Sequence, residues 1–420
     1  MTSNPRNFGF ATRAIHVGHD PAYRPEDGTQ SITVPIYQTS TYVQNTVGDP
    51  DPAYEYARVQ NPTRAALEKN MAALESGKSA HAFASGMAAI VAIMSILRPG
   101  DEVIVSHDVY GGTNRYFTHS LERWGVGFHW IDTTDSNHVA ETVRANPNAR
   151  MIFIETPSNP TMEITDIAAV ASIAHENGLL LVVDNTFLSS YNQRPIELGA
   201  DLVMHSTTKY LNGHSDSLGG IVVVSPDIDP EVISQRLEGA LSDDMSSHLG
   251  YVQKAAGPIL APFECFLILR GLRTLAIRME KHEENGRAIA AYLANEHKER
   301  PTLVRRVLYP GLEDHPGHEV QTRQTTGEGR YGAMISIDLG TMEAARRFLL
   351  AIDVISLAES LGGVESLACH PATMTHASIS AREREELGIS DGLVRLSIGI
   401  EDIDDLIADV EQAIEAASEA

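Results

Sequence analysis

A single lysine lies in a stretch that otherwise consists largely of hydroxyl-bearing residues and glycines, "HSTTKYLNGHSDSLGG" (205–220). This lysine, Lys209, follows the apolar run "ADLVM", which predicts a buried strand. Open α/β sheets bind ligands just beyond the ends of their strands. Hydroxyls and backbone N–H groups beside an amine suit a Schiff-base lysine next to a bound phosphate. The competing interpretation is a lysine on a surface loop, the usual location of this residue type.

A cofactor of that kind, such as pyridoxal phosphate, makes demands that other residues could meet. Its ring nitrogen needs a carboxylate, and Asp184 ends the apolar run "LLLVVD". Its phosphate suits a helix N-terminus, and Ser85 and Gly86 open the helical run "GMAAIVAIMSIL". Tyr110, before two glycines and beyond another strand, could cover the ring. A turn-capping aspartate, an ordinary strand–helix turn and a core tyrosine are the respective alternatives.

An amino-acid substrate would also need a partner for its α-carboxylate. Arg395 interrupts the strand-like run "LVRLSIG", and a guanidinium offers the bidentate fork that a carboxylate prefers. The alternative is that Arg395 lies on the exposed face of its strand.

Two further sequence patterns do not indicate binding sites. "GEGRYG" (327–332) precedes an apolar strand rather than a helix, so we interpret it as a loop. The histidines and cysteines lack metal-ligand spacing, which predicts no metal site.

The elements around these residues predict an α/β fold. Short apolar strands alternate with helices over residues 63–262, which indicates a mostly parallel central sheet. Residues 1–62 have little periodicity and predict an N-terminal arm. Residues 263–420 begin with a long helical pattern, broken near Gly271, and predict a smaller α+β domain. The polar segment 238–257 is interpreted as a surface segment.

Composition excludes several classes of protein. The formal net charge of the 420-residue chain is -24, which disfavours nucleic acid and anionic membrane surfaces as partners. No apolar run approaches 18 residues, and the start of the chain lacks an apolar signal-like region. Two cysteines cannot form a disulfide framework, so we expect a cytoplasmic protein. The excess of Asp and Glu over Lys and Arg is consistent with either a salt-loving host or an ordinary acidic protein surface.

Together these motifs resemble the Cys/Met-metabolism family of pyridoxal-phosphate enzymes over nearly the whole chain. The matching stretches are "YEYARVQNPTRAALE", "SGMAAI", "DVYGGTNRYF", "IETPSNPT", "VVDNTF", "HSTTKYLNGHSD", "LAESLGGVESL" and "VRLSIGIED". The resemblance implies the fold of the aspartate-aminotransferase-like enzymes (fold type I) and pyridoxal 5'-phosphate as cofactor. Ala57 replaces a common serine, and the 238–252 region is longer than usual. The second departure leaves substrate preference open.

The resemblance implies a role for each matched residue. Lys209 would form the covalent bond to the cofactor, Asp184 would pair with the ring nitrogen, and Tyr110 would stack on the ring and help to move protons. The other cofactor-binding positions would be Gly86, Met87, Ser206 and Thr208 at the phosphate, Asn159 near the ring hydroxyl, and Tyr56 and Arg58 at the phosphate of a neighbouring subunit. The substrate-binding positions would be Arg395 and Ser360 at the carboxylate, with Glu359, Arg115 and Glu55 in the distal pocket.

The activity that the resemblance favours is γ-elimination on L-cystathionine, giving cysteine, 2-oxobutanoate and ammonia in transsulfuration. γ-Replacement of an O-acyl-homoserine by cysteine, the synthase reaction, shares the first half of that chemistry and stays open. Cystathionine β-elimination and O-acetylhomoserine sulfhydrylation are further alternatives. A scaffold without activity is disfavoured because the lysine and its aspartate are both present. A site shared between subunits implies a homo-oligomer, and the family suggests a tetramer built from two dimers.

Overall fold

The chain forms two compact units in the computed structural model, which describes residues 8–19, 30–48, 54–238, 241–327, 329–377 and 380–418. The first unit holds the described residues up to Leu97 together with Pro195–Ala276. The second unit holds Arg98–Arg194 and the described residues from Ile277 onward. The division of the sequence at residues 62 and 262 stays a prediction. Much of the predicted arm (1–7, 20–29 and 49–53) lies outside the described residues.

The first unit carries an antiparallel group of strands and the helices that pack on them. Its elements are α1 (Phe10–His16), α2 (Pro62–Leu74), β1 (Ser79–Phe83), α3 (Gly86–Met94), β6 (Leu202–Ser206), β7 (Gly220–Val224), α8 (Pro230–Arg236), α9 (Met245–Ala256) and α10 (Pro262–Leu272). The strand order is β1-β7-β6, and both pairs are antiparallel. All three strands are mostly or fully buried, in keeping with their apolar sequences. The loop between β6 and β7 carries Lys209.

The second unit begins with parallel strands joined by helical crossovers. These elements are β2 (Glu102–Ser106), α4 (Gly111–Tyr116), β3 (Gly127–Ile131), α5 (Ser136–Ala145), β4 (Ala149–Glu155), α6 (Ile167–Glu176), β5 (Leu180–Asp184) and α7 (Ser189–Asn192). The strand order is β5-β4-β2-β3, and each neighbouring pair is parallel. The carboxyl ends of parallel strands share one edge, so β2, β4 and β5 all present their ends there. Tyr110, Asn159 and Asp184 lie at or just beyond those ends.

The second unit also contains a smaller, largely antiparallel sheet. Its elements are α11 (Leu275–Glu299), β8 (Arg306–Leu308), α12 (His318–Gln324), β9 (Met334–Asp338), α13 (Met342–Ala351), β10 (Ser356–Leu357), β11 (Leu367–Cys369), α14 (Ala381–Glu386), β12 (Leu393–Ser397) and α15 (Ile403–Ser418). The strand order is β10-β11-β12-β9-β8. Buried apolar side chains of α11, α13 and α15 form one core with β9 and β12. Arg395 therefore lies in the middle of a sheet rather than at its edge, paired in register with Cys369 and Ser336.

The fold class predicted from the sequence is confirmed: the protein is α/β, with a mixed, mostly parallel central sheet. The predicted break near Gly271 is also confirmed, since α10 ends at Leu272 and α11 begins at Leu275. The described residues of "GEGRYG" (Glu328 lies outside them) form a loop before β9. Among the described residues, no helix is long and apolar enough to cross a membrane.

The structure differs from the sequence-based interpretation at the polar segment 238–257. Apart from residues 239–240, which lie outside the described part, most of this segment forms helix α9. Asp244 caps its first turn by accepting a hydrogen bond from the Ser247 N–H, and Gly257 ends it with a left-handed backbone. One face of α9, including Leu249, is buried. The helix-capping residues Asp244 and Gly257 are visible in the sequence. The polar residues between the buried positions made the segment resemble a surface loop.

Gly220 sets the distance between β7 and the start of α3. A Cβ atom built on Gly220 would overlap the Ser85 carbonyl oxygen and lie 2.6 Å from the Ser85 carbonyl carbon. Both atoms belong to the main chain and cannot rotate away. We therefore expect Gly220→Ala to lower the free energy of unfolding by about 1–3 kcal/mol, measured by urea denaturation.

The matched control is Gly250→Ala in α9, where the atom nearest to the new methyl group would be His81 Cε1 at 3.8 Å. This variant has room for its side chain and gains helix propensity, so its stability should be unchanged or higher by about 0.5–1 kcal/mol. Equal urea midpoints for the two variants would contradict the close approach at Gly220.

Candidate active site

The lysine loop leaves β6 and is held by its own main chain. The Lys209 N–H donates to the Ser206 carbonyl at 3.2 Å, and the Gly213 N–H donates to the Lys209 carbonyl at 2.8 Å. The Thr208 hydroxyl accepts from the Gly219 N–H at 3.1 Å and lies 3.3 Å from the Gly219 carbonyl. These bonds fold the loop back on itself, with the Lys209 side chain half-buried.

An anion cradle lies where the end of β6 meets the start of α3. Ser85 caps α3 by accepting a hydrogen bond from the Ala88 N–H at 3.1 Å, and Gly86 and Met87 form the first helical positions. A Cβ atom on Gly86 would lie 3.0 Å from Ser206 Cβ, so glycine permits this close approach. Helix N-terminal N–H groups beside a hydroxyl suit a phosphate. The structure thus brings together three residues that the sequence predicted at the phosphate: Gly86, Met87 and Ser206.

A turn in the first unit presents Tyr56 and Arg58, and Arg64 of α2 holds it. The Arg64 guanidinium, which is fully buried, donates to the Ala57 carbonyl at 2.8 Å and to the Val59 carbonyl at 3.1 Å. Arg58 lies 5.5 Å from the ring centroid of Tyr56, and both side chains are exposed. Arg58 also donates to the Lys254 carbonyl at the end of α9.

Glu55, which the sequence predicts in the distal pocket, precedes this turn and is half-buried. Its main-chain carbonyl accepts a hydrogen bond from the Tyr42 N–H at 3.0 Å. The structure therefore fixes the main chain of Glu55 through a neighbouring segment of the first unit, while the role predicted for its carboxylate stays a prediction.

In the second unit, a buried glutamate is the strand neighbour of Asp184 and a hydrogen-bond partner of Tyr110. Asp184 ends β5 and is 7% exposed, and its Oδ1 accepts from the Thr186 N–H and hydroxyl at 3.0 and 2.5 Å. The aspartate thus caps the next turn, the alternative that the sequence had left open. Glu155 ends β4 in register with Asp184, and its Oε2 accepts the Tyr110 N–H at 2.7 Å. Tyr110 is the N-cap residue of α4 and is 43% exposed, so it is not a core tyrosine.

A second group in the same unit centres on Arg395, which is 3% exposed. Its guanidinium donates to Asn159 Oδ1 at 2.8 Å and to the Ser360 carbonyl at 2.9 Å. Ser360, whose carbonyl accepts the second of these bonds, has a positive φ of 90°, which is uncommon for a residue other than glycine. The structure therefore joins three of the predicted residues and excludes the alternative of an exposed Arg395. Glu359 and Arg115, by contrast, are exposed side chains.

No ion pair to Arg395 forms among the described residues. Its Nε atom is buried and has no hydrogen-bond acceptor, and no carboxylate of the described residues forms an ion pair with its guanidinium. A buried guanidinium without an ion-pair partner is costly. The arrangement is therefore suited to an anionic ligand with the geometry of a carboxylate.

These features fit pyridoxal phosphate. The cradle formed by Gly86 and Ser206 has the donors and the close approach that a phosphate needs, and Lys209 follows in the same loop. In the second unit, considered by itself, Asp184 is a buried carboxylate of the kind that a pyridinium nitrogen needs. The role assigned to each residue stays a prediction, because its placement within one unit does not by itself test that role.

Sequence reasoning missed two positioning residues. Arg64 bonds the carbonyls of the turn that presents Tyr56 and Arg58, and Glu155 bonds the main chain of Tyr110. Both lie inside stretches that carried the family resemblance, "NPTRAALE" and "IETPSNPT". In each case the sequence shows a charged residue next to an apolar run, which could have indicated a buried charge that holds another part of the chain.

One cluster in the second unit has the composition of a cation site. Ligand atoms of His107, Asp132 and Glu163 lie within 4.8 Å of one another, and all three residues are half-buried. A hydrogen bond of 2.8 Å joins His107 Nε2 to Glu163 and raises the pKa of the imidazole. This bond gives the cluster a role without a metal, so the expected absence of a metal site stays a prediction.

Proteins of one enzyme family resemble this chain over nearly its whole length. Residues 11–415 match the model of the Cys/Met metabolism PLP-dependent enzymes. Cystathionine gamma-lyase of Bacillus subtilis is 45% identical over 93% of this chain and 96% of its own length. Cystathionine beta-lyase of Coxiella burnetii is 46% identical over 98% and 99%. A crystal structure of cystathionine gamma synthase from Xanthomonas oryzae pv. oryzae, in complex with aminoacrylate and cysteine, has a TM-score of 0.86 and 41% identity, covering 98% of each chain.

These matches span nearly the whole chain, and they confirm both the resemblance and the cofactor expected from the sequence. The protein therefore belongs to the family of PLP-dependent enzymes of Cys/Met metabolism.

Proposed function

We propose that the protein is a cystathionine γ-lyase, which converts L-cystathionine and water into cysteine, 2-oxobutanoate and ammonia. The observation that carries this proposal is the buried Arg395, which holds Asn159 and Ser360 but pairs with no carboxylate among the described residues. An α-carboxylate of an amino acid would supply the missing charge. Glu359, adjacent to Ser360 and exposed, would bind the distal ammonium group of cystathionine.

Each further residue has a defined task in this reaction. Bound pyridoxal phosphate would form a reversible carbon–nitrogen bond with an amine and withdraw electrons from the substrate α-carbon. Lys209 Nζ would hold the cofactor before the reaction, then remove the proton from the α-carbon. Asp184 would keep the ring nitrogen protonated, and Tyr110 would cover the ring and return a proton to the departing sulfur. Loss of a proton from the β-carbon allows the γ-carbon–sulfur bond to break.

A second candidate is cystathionine γ-synthase, since cysteine added to the γ-carbon would use the same residues. The similarity to the Xanthomonas γ-synthase structure favours it. The β-lyase activity of the Coxiella relative is a third candidate. We propose the lyase first because two stretches, "YGGTNRYF" and "RMEKHEENG", resemble γ-lyases more than γ-synthases.

A product assay on the cofactor-loaded protein distinguishes these candidates. L-Cystathionine is supplied alone, and in a second reaction an O-acyl-homoserine is supplied with L-cysteine. Cysteine and 2-oxobutanoate from cystathionine alone would support the γ-lyase. Homocysteine and pyruvate would identify the β-lyase instead. Cystathionine formed from the ester, with little cleavage of cystathionine, would contradict the proposal in favour of the synthase.

We also propose that the enzyme is a cytoplasmic homo-oligomer whose site is completed by a neighbouring subunit. The support is the exposure of Tyr56 and Arg58, which the family resemblance assigns to a neighbour's phosphate. Arg58→Ala should then weaken cofactor retention roughly tenfold, because a charge-assisted hydrogen bond to phosphate is lost. The measurement is the cofactor absorbance that remains after gel filtration.

The matched control for this variant is Arg382→Ala, whose side chain is exposed and pairs with Glu386 at 3.0 Å. It should retain the cofactor as the wild type does. Gel filtration reports the oligomeric state in the same run. Full cofactor retention by an Arg58→Ala monomer would refute the shared site.

A further inference from the structure

Two buried carboxyl groups lie side by side at one edge of the second unit. Glu155 ends β4 and Asp184 ends β5, and the two residues are direct partners in the parallel register of these strands. Paired residues on neighbouring strands point to the same face of a sheet. Glu155 is 5% exposed and Asp184 is 7% exposed. Two negatively charged carboxylates on neighbouring strands, both shielded from water, repel each other strongly.

Glu155 is also hydrogen-bonded to the main chain of Tyr110, a residue with a proposed role in the reaction. Its Oε2 accepts the main-chain N–H of Tyr110 at 2.7 Å. The carbonyl of Tyr110 accepts from the Thr113 N–H at 2.8 Å and from the Asn114 N–H at 3.2 Å. The main chain of Tyr110 is therefore held on both sides, while the residue as a whole remains 43% exposed.

The charges around Glu155 favour its neutral form. The pKa of Glu155 is raised well above its usual range, first by burial and then by the negative charge of Asp184. Asp108, beyond the end of β2, raises it further, while the Tyr110 N–H and the positive charge of Arg395 on β12 act in the opposite direction. A protonated carboxyl group can still accept the Tyr110 N–H through its carbonyl oxygen.

We propose that Glu155 is a positioning residue, which fixes the main chain of Tyr110 and leaves Asp184 as the one ionised carboxylate of the pair. Asp184 can then offer a negatively charged carboxylate to the ring nitrogen. The inference rests on the proposed roles of Asp184 and Tyr110 in the site. It does not depend on whether the reaction is elimination or replacement.

The test compares Glu155→Gln with Glu155→Leu. Glutamine stays neutral and retains a carbonyl acceptor for Tyr110, whereas leucine is neutral without one. The first readout is a pH titration of the cofactor absorption band in the holoprotein without substrate. The second is kcat/KM with the substrate that the product assay identifies. The matched control is Glu102→Gln. Glu102 lies at the start of β2, away from the carboxyl ends of the strands, and pairs with His129.

We expect the wild type and the control to show a titration step above the usual carboxyl range, caused by ionisation of the Glu155–Asp184 pair. Both Glu155 variants should lack this step. For kcat/KM, Glu155→Gln should lose at most about fivefold and Glu155→Leu roughly 10- to 50-fold, because a main-chain donor is left without its acceptor.

Two results would overturn the proposal. The titration step assigned to the Glu155–Asp184 pair could persist in Glu155→Gln, or folded Glu155→Leu could match Glu155→Gln in kcat/KM. Circular dichroism and melting temperature check the fold of both variants. If Glu155→Leu does not fold, the titration of Glu155→Gln alone decides the result. Failure of the product assay would refute the proposed activity but would leave the titration of the holoprotein interpretable.

Discussion

Replacing Lys209 with alanine should lower kcat by at least about 10³-fold. The variant loses both the amine that binds the cofactor covalently and the base that moves the α-proton, and a positioned base alone contributes roughly 10²–10⁴-fold. The fold should persist, because the loop is held by main-chain bonds and by Thr208, none of which needs the lysine side chain. The measurement is steady-state turnover of the substrate at saturating cofactor.

The control for this variant is Lys281→Ala. Lys281 lies on α11 and pairs with the exposed Glu284 at 2.7 Å. Its removal should leave kcat within about twofold, since surface ion pairs contribute little. A small primary amine added to Lys209→Ala should restore part of the turnover by replacing the missing base. Turnover above a tenth of the wild-type value in Lys209→Ala would contradict the role of Lys209.

Arg395→Lys should raise KM for the amino-acid substrate roughly 30- to 150-fold. Lysine keeps the charge but lacks the planar fork, so it cannot hold Asn159 and Ser360 and also bind a carboxylate through two parallel bonds. Such a loss at a buried charged site costs about 2–3 kcal/mol, which corresponds to this factor. The cofactor absorption band of the loaded protein should be unchanged, which separates loss of substrate binding from loss of cofactor.

Arg346→Lys is the matched control. Arg346 lies on α13, is exposed and pairs with Glu343 at 3.1 Å. It should bind substrate as the wild type does. Urea denaturation of both variants checks whether the buried substitution has changed the fold. An unchanged KM in folded Arg395→Lys would show that another residue binds the carboxylate.

The strands and the lysine loop could be predicted from sequence because burial leaves a continuous apolar pattern. The runs that form β2, β4, β5, β6 and β7 are almost entirely buried. β3 was not predicted, since "GFHWI" is half-exposed along most of its length and mixes residue types. Helix α9 was missed for the related reason that only one of its faces is buried.

Some residues of the candidate site could likewise be predicted from local sequence, and others could not. Lys209, Gly86 and Asp184 could be predicted because each follows an apolar run at a point where α/β sheets bind ligands. The burial of Arg395 could not, since alternation of Val394, Arg395 and Leu396 is equally consistent with an exposed face. The importance of Glu155 depends on strand register with Asp184 and on a bond to Tyr110, 45 residues earlier in the chain. No local pattern encodes such a pairing.

The most direct test of the account is to locate the covalent bond between the cofactor and the chain. The holoprotein is reduced with borohydride, which makes the carbon–nitrogen bond permanent, then digested and analysed by peptide mass spectrometry. We expect the added mass of the reduced cofactor on Lys209 alone, and none on Lys254, Lys281 or the other lysines. Modification of a different lysine, or of none in a protein that has retained its cofactor, would contradict the assignment of the active site.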